Sequence, residues 1–214
     1  MGFPAISSVQ SIEITSTIIL LDLIEVDCDE AAISPTSSMA PISNLAVVLC
    51  HGSYHTPAPY EPFIQALKAH GIDAYCPQRP SSDLNKLNVG DVNNPDFDRE
   101  PPNGGYPSDS EDVQVIVQLL QRLVNDEGKS VLLAGHSSGG WVAAQAALPT
   151  LQANTRKSNG QSGGIIGIFF IGAFIIPVGE SVHSFFQPKD GSLVTPPFMT
   201  FHVSWLPIVM EPTK

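Results

Sequence analysis

The chain has 214 residues, a length suited to one domain or one domain with an appended arm, and its 43% apolar fraction excludes disorder throughout. Ten basic residues against 21 acidic ones give a net charge of −11. Neutralising phosphates requires clustered Lys and Arg, so neither nucleic acid nor an anionic membrane surface is expected as a partner.

In chain order, residues 11–27 are dense in Ile, Thr and Val and predict a β-rich stretch. Its most apolar part, residues 12–26, contains Glu13, Asp22 and Glu25, which is incompatible with a membrane span. No basic segment precedes it, so a secretory signal is not expected. Residues 28–44, rich in Ser, Ala and Pro, read as an irregular linker. The expected organisation is an arm and linker over 1–44, a core over 45–177, and a segment over 178–214 that starts a cap or forms an irregular tail.

From Leu45 the pattern becomes alternating strands and helices. Residues 45–50 are a short continuous apolar run, as in a strand buried on both faces of a parallel sheet. Residues 58–70 have helical spacing through Phe63, Ile64 and Leu67, and Gly71 supplies a C-terminal stop. A strand is predicted over 72–76, then a long polar loop over 78–107. Ser108 and Glu111 form a capping-box pattern opening a helix that runs to Gly128. A strand over 130–135, an Ala-rich helix over 141–151, a flexible loop over 154–164 and a very apolar strand over 165–174 complete the series. The order predicts an α/β fold with a doubly wound, mostly parallel sheet. Cys28, Cys50 and Cys76 are odd in number and too far apart for a Cys-x-x-Cys pair. They read as reduced thiols, and the expected location is the cytoplasm.

The pattern Gly135-His136-Ser137-Ser138-Gly139-Gly140 lies between a predicted strand and a predicted helix. G-x-S-x-G in that context is a nucleophile elbow, a strained turn that lifts the serine hydroxyl above the sheet edge. Ser137 is the candidate nucleophile, and the amide of Ser138 is one candidate oxyanion donor at a helix N-terminus. His51-Gly52-Ser53-Tyr54-His55 follows the first buried strand. The amide of Ser53 is the second candidate donor, and its hydroxyl is a candidate substrate contact. No phosphate-binding glycine pattern opens a helix after a strand, so no cofactor is expected, and no metal site is expected.

The segments Val47 to His55, Tyr60 to Leu67, Gly135 to Gly140 and Phe169 to Ser181 resemble the α/β-hydrolase superfamily, in its small esterase and hydroxynitrile-lyase-like branch. The resemblance implies Ser137 as nucleophile, the amides of Ser53 and Ser138 as oxyanion hole, and a small apolar ester-like substrate. Related sequences include tailoring enzymes of secondary metabolism. In this family the acid and the histidine follow the serine on later strands. Those strands are not recognisable here, so the sequence is expected to be C-terminally truncated relative to the family. Asp190 and His202 are the substitutes in the right order. The expected activity is carboxylic ester or lactone hydrolysis through a Ser137 acyl-enzyme. The alternative is a catalytically impaired hydrolase-like binding protein, or a lyase or cyclase using the same pocket. Strand 165–174 without later neighbours would present an uncovered edge, which predicts marginal stability, aggregation or a homodimer. The tail, the 11–27 region or a second copy would have to cover it.

Overall fold

The computed structural model of the protein describes residues 44–177 together with Gly179, Glu180, Phe185 and Asp190. The expected arm, the linker up to residue 43 and His202 lie outside the described residues.

Within them, four parallel strands form one sheet: β1 (Leu45–Cys50), β2 (Asp73–Tyr75), β3 (Ser130–His136) and β4 (Gly164–Ile171), in the spatial order β2-β1-β3-β4. Helices α1 (Glu61–Ala69), α2 (Asp109–Gln121), α3 (Gly139–Ala146) and α4 (Ala153–Ser158) alternate with them. This is the α/β architecture that the strand and helix pattern predicts. β1 and β3 pair in register from Leu45 opposite Ser130 to Cys50 opposite Gly135. Their C-terminal ends therefore finish side by side, and the turns that follow them meet.

The apolar run of β1 is buried on both faces because its side chains alternate between two cores. Ala46, Val48 and Cys50 share one core with Ile116 and Leu120 of α2 and Val142 of α3. Val47 and Leu49 share the other with Ile64 of α1 and Ala74 of β2. Each such Leu, Ile or Val contributes about 1.5–3 kcal/mol by leaving water. Two buried faces explain why β1 lacks a polar alternation. Phe63, expected on the apolar stripe of α1, is exposed, and Ile64 alone on that helix is fully covered.

The helix boundaries follow their caps. α1 ends in a Schellman motif, with the Gly71 amide donating to the Lys68 carbonyl at 2.9 Å and the Ile72 amide to the Leu67 carbonyl at 3.1 Å. Gly71 adopts φ +75° there. The capping box at α2 is formed, the Ser108 amide donating to Glu111 at 2.6 Å. That backbone bond holds the Glu111 carboxyl below its ordinary range. After Gln121 the helix widens into a π turn over Arg122–Asp126 that buries Leu123 and Val124.

Three boundaries differ from the sequence expectation. The helix expected over 141–151 stops at Ala146, because Pro149 cannot continue it and starts a short 3₁₀ turn, Pro149–Leu151. The loop expected over 154–164 contains α4, whose buried Arg156 donates to Asn125 Oδ1 at 2.8 Å and to the Ser162 carbonyl at 2.9 Å. β4 ends at Ile171 rather than Phe174, since the Phe174 amide turns back to donate to the Ser137 carbonyl at 2.9 Å. β4 lies at the edge of the described sheet, with Ile166 and Phe169 exposed. The long polar loop is anchored: it forms 3₁₀ turns at Pro80–Ser82 and Leu84–Lys86 and buries Leu87 and Val89.

Candidate active site

Ser137 stands between the end of β3 and the start of α3, with φ +53°. A non-glycine residue in this left-handed region costs roughly 1–3 kcal/mol and persists only where its surroundings fix it. Here both sides are fixed. The Ser137 amide donates to the Ile171 carbonyl at 3.3 Å, and the Ser137 carbonyl accepts from the amides of Gly140 at 3.1 Å and Phe174 at 2.9 Å.

The surrounding glycines follow from contact distances. A Cβ on Gly135 would lie 2.5 Å from the Gly140 Cα, and one on Gly139 would intrude on the Cys50 carbonyl. A Cβ on Gly140 would lie 2.6 Å from the Ala173 Cβ. The turn can thus be this tight only with glycines two before, two after and three after the serine.

The turn after β1 approaches from the neighbouring strand end. A Cβ on Gly52 would stand 3.2 Å from the Ser137 Cβ, so the loop comes close to the elbow. The Ser53 hydroxyl, a candidate substrate contact, donates to the Ser138 hydroxyl at 2.8 Å. That bond draws the two candidate donor residues together. Among the described residues, the amides of Ser53 and Ser138 and the hydroxyl of Ser137 have no hydrogen-bond partner.

A sequence profile described as "Alpha/beta hydrolase family" matches residues 47–212. The chain belongs to the alpha/beta hydrolase family. Among solved structures, an extracellular alpha/beta-hydrolase from a Paenibacillus species is 23% identical, with 68% of this chain and 48% of that one covered and a TM-score of 0.46. The RedJ thioesterase of the prodiginine pathway in Streptomyces coelicolor is 15% identical, with 65% and 44% covered and a TM-score of 0.38. ClbQ from the colibactin pathway is 16% identical, with 75% and 60% covered and a TM-score of 0.38. The chain thus spans about half the length of the first two. No curated protein sequence matches it.

Beneath the elbow of this alpha/beta hydrolase lies a buried ion pair that sequence reasoning missed. Arg79 Nε and Nη2 donate to Asp112 Oδ2 at 2.9 and 2.8 Å. Asp112 also accepts from the Ser81 amide at 2.9 Å and the Ser81 hydroxyl at 2.5 Å. The remaining guanidinium nitrogen, Nη1, donates to the His51 carbonyl at 2.8 Å and to the Ser138 hydroxyl at 2.9 Å. Arg79 therefore joins the long loop, helix α2, the turn after β1 and the elbow. A sequence signal existed for Asp112: it stands four residues before Ile116 and eight before Leu120, on the stripe that buries them. None marked Arg79 within its polar loop.

The described histidines are engaged away from the Ser137 hydroxyl. His51 is buried, donating from Nδ1 to the Gly52 carbonyl at 2.9 Å and accepting at Nε2 from the Arg79 amide at 3.2 Å. Those bonds define one neutral tautomer, and burial pushes the pKa below its ordinary value. His55 and His136 both place Nδ1 on the Tyr60 hydroxyl, and His70 Nδ1 bonds the Ala66 carbonyl. His51 and His55 are four residues apart, yet no group of three His, Cys, Asp or Glu among the described residues could hold a metal ion. Asp190 is exposed. Burial raises both described thiols, Cys50 and Cys76, to about 12, so neither is a nucleophile at neutral pH. Among the described residues no helix is long and apolar enough to cross a membrane.

Proposed function

We propose that the chain is a serine hydrolase cleaving a small, largely apolar carboxylic ester or lactone through an acyl-enzyme on Ser137. The observation that supports this most is the elbow itself: a half-buried serine at φ +53°, with two amides nearby that have no partner within the described residues. In the first half-reaction Ser137 Oγ attacks the carbonyl carbon and its proton passes to a base. The developing oxyanion accepts hydrogen bonds from the amides of Ser53 and Ser138, and the alcohol leaves with the proton. Water then repeats the sequence on the acyl group and regenerates the serine. Asp190 and His202 keep the Ser, acid, His order of the family and are the proposed acid and base. A role in tailoring a secondary metabolite rests on the sequence resemblance.

A second reading is favoured by one observation: no described histidine bonds to Ser137. It is a hydrolase-like binding protein, or a lyase or cyclase that needs no acyl-enzyme. An active-site-directed fluorophosphonate decides between them. The hydrolase reading expects labelling of the wild-type chain that disappears in Ser137→Ala, with p-nitrophenyl acetate turnover falling to the residual that oxyanion binding alone leaves, roughly 10³–10⁴-fold over water. Labelling that persists in Ser137→Ala removes Ser137 as the reactive group.

A further inference from the structure

Tyr60 belongs to one of the family-like segments, and the proposed reaction does not use it. It is the residue preceding α1, held by the 3₁₀ turn Ala58–Tyr60 and by Pro62 in the first turn of the helix. Its hydroxyl meets three partners. The Gly52 amide donates to it at 3.2 Å, His55 Nδ1 lies at 2.8 Å, and His136 Nδ1 lies at 2.6 Å. The two imidazoles face each other with centroids 5.8 Å apart and planes inclined by 23°.

A phenolic oxygen has one proton and two lone pairs. The Gly52 N–H occupies one lone pair. Of the two imidazoles, one must then donate from Nδ1 to the second lone pair, and the other must accept the phenolic proton at Nδ1. With both rings neutral, only opposite tautomers satisfy all three contacts: one ring is Nδ1–H and the other Nε2–H. If both rings carried Nδ1–H, three donors would compete for two lone pairs while the phenolic proton went without an acceptor.

The three partners occupy telling places in the chain. Gly52 immediately precedes Ser53, and His136 immediately precedes Ser137. A single oxygen therefore ties the residue before one oxyanion donor to the residue before the nucleophile. The approach is close, since a Cβ on Gly52 would stand 3.3 Å from His136 Nδ1. We infer that Tyr60 is a positioning residue, whose hydroxyl holds the Gly52–Ser53 turn against the elbow by fixing His55 and His136 in opposite tautomers. Its effect on turnover rests on the serine-hydrolase reading, whereas the tautomer arrangement stands without it.

The test is imidazole ¹⁵N NMR of the full chain at pH 8, with His55 and His136 assigned, together with p-nitrophenyl acetate kinetics of wild type and Tyr60→Phe. The expected spectrum shows Nδ1–H on one of the two rings and Nε2–H on the other, and Tyr60→Phe abolishes that split. Tyr60→Phe should lower kcat by about 10-fold or more, toward the roughly 100-fold that a misplacement of about 1 Å can cost, and should change KM by less than about 3-fold. A purely structural tyrosine would leave the tautomers of the two rings unlinked to its hydroxyl. The same tautomer on both wild-type rings, or kcat in Tyr60→Phe within about 2-fold of wild type, overturns the proposal. If Tyr60→Phe does not fold, the wild-type tautomers alone decide it. If the wild type shows no turnover and no fluorophosphonate labelling, the serine-hydrolase reading fails, and the spectrum still decides whether the hydroxyl ties the two turns together.

Discussion

Replacing Asp112 with asparagine nearly keeps the side-chain volume but removes the charge and one acceptor oxygen, so the substitution breaks the ion pair beneath the elbow without opening a cavity. In the native chain the Asp112 carboxylate is inaccessible to solvent and the Arg79 side chain nearly so. The asparagine would retain one acceptor oxygen and turn an NH₂ group toward donors of Arg79 or Ser81. The guanidinium would then remain buried without a counter-charge. Breaking one partner of a buried pair costs about 3–5 kcal/mol, against a total stability of about 5–15 kcal/mol for a domain. Asp112→Asn should therefore lose roughly a fifth or more of the folding free energy. Urea unfolding at pH 7 measures this as a lower midpoint at unchanged slope. Removing both charges, as Arg79→Met with Asp112→Leu, should recover about 2 kcal/mol relative to the sum of the single losses. Recovery is incomplete, because the Ser81 amide, the His51 carbonyl and the Ser138 hydroxyl each lose a partner worth about 1 kcal/mol. A loss below about 1 kcal/mol in Asp112→Asn, or strict additivity in the pair, would refute the account.

Gly135→Ala should destabilise by about 3 kcal/mol or more, since its Cβ would meet backbone at 2.5 Å that cannot move without dismantling the elbow. The check is its melting temperature beside that of Gly167→Ala, whose Cβ would meet only a Leu132 methyl at ordinary contact distance. The pH dependence follows from His51, whose pKa burial lowers below the ordinary 6.5. The unfolded chain then binds more protons than the folded one as pH falls below about 6.5, so stability drops with pH until the folded form also protonates. Thermal melts between pH 7.5 and 5 should show this loss in wild type and a flatter profile in His51→Gln; equal slopes would exclude His51 as the source.

Much of the fold was legible because its signals are local. The apolar run 45–50 needs no context beyond its length to read as a doubly buried strand, and the Ser108–Glu111 pair carries its cap within four residues. Two of the three misplaced boundaries have a different cause, whereas the early end of α3 was signalled locally by Pro149. α4 persists because Arg156 reaches Asn125 across 31 positions of sequence, and β4 ends where the Phe174 amide bonds the Ser137 carbonyl. Neither partner is visible from inside the segment it controls.

The candidate site divides along the same line. The spacing of Gly135, Ser137 and Gly139 encodes a steric requirement, and steric requirements of a tight turn are written in adjacent residues. The electrostatic layer beneath it is not. Arg79 lies 59 positions from the Ser138 hydroxyl to which it donates and 33 from Asp112. Helix α2 and the polar loop must both fold before this cation has a counter-charge or the elbow has its support. A guanidinium held within a neutral, fully bonded network also limits what it can do for an oxyanion: its charge is matched by Asp112, and its donors are directed at the Ser138 hydroxyl and the His51 carbonyl. Its contribution is therefore placement of the two turns. The amides of Ser53 and Ser138, which have no partner among the described residues, are therefore the donors proposed to meet a developing negative charge.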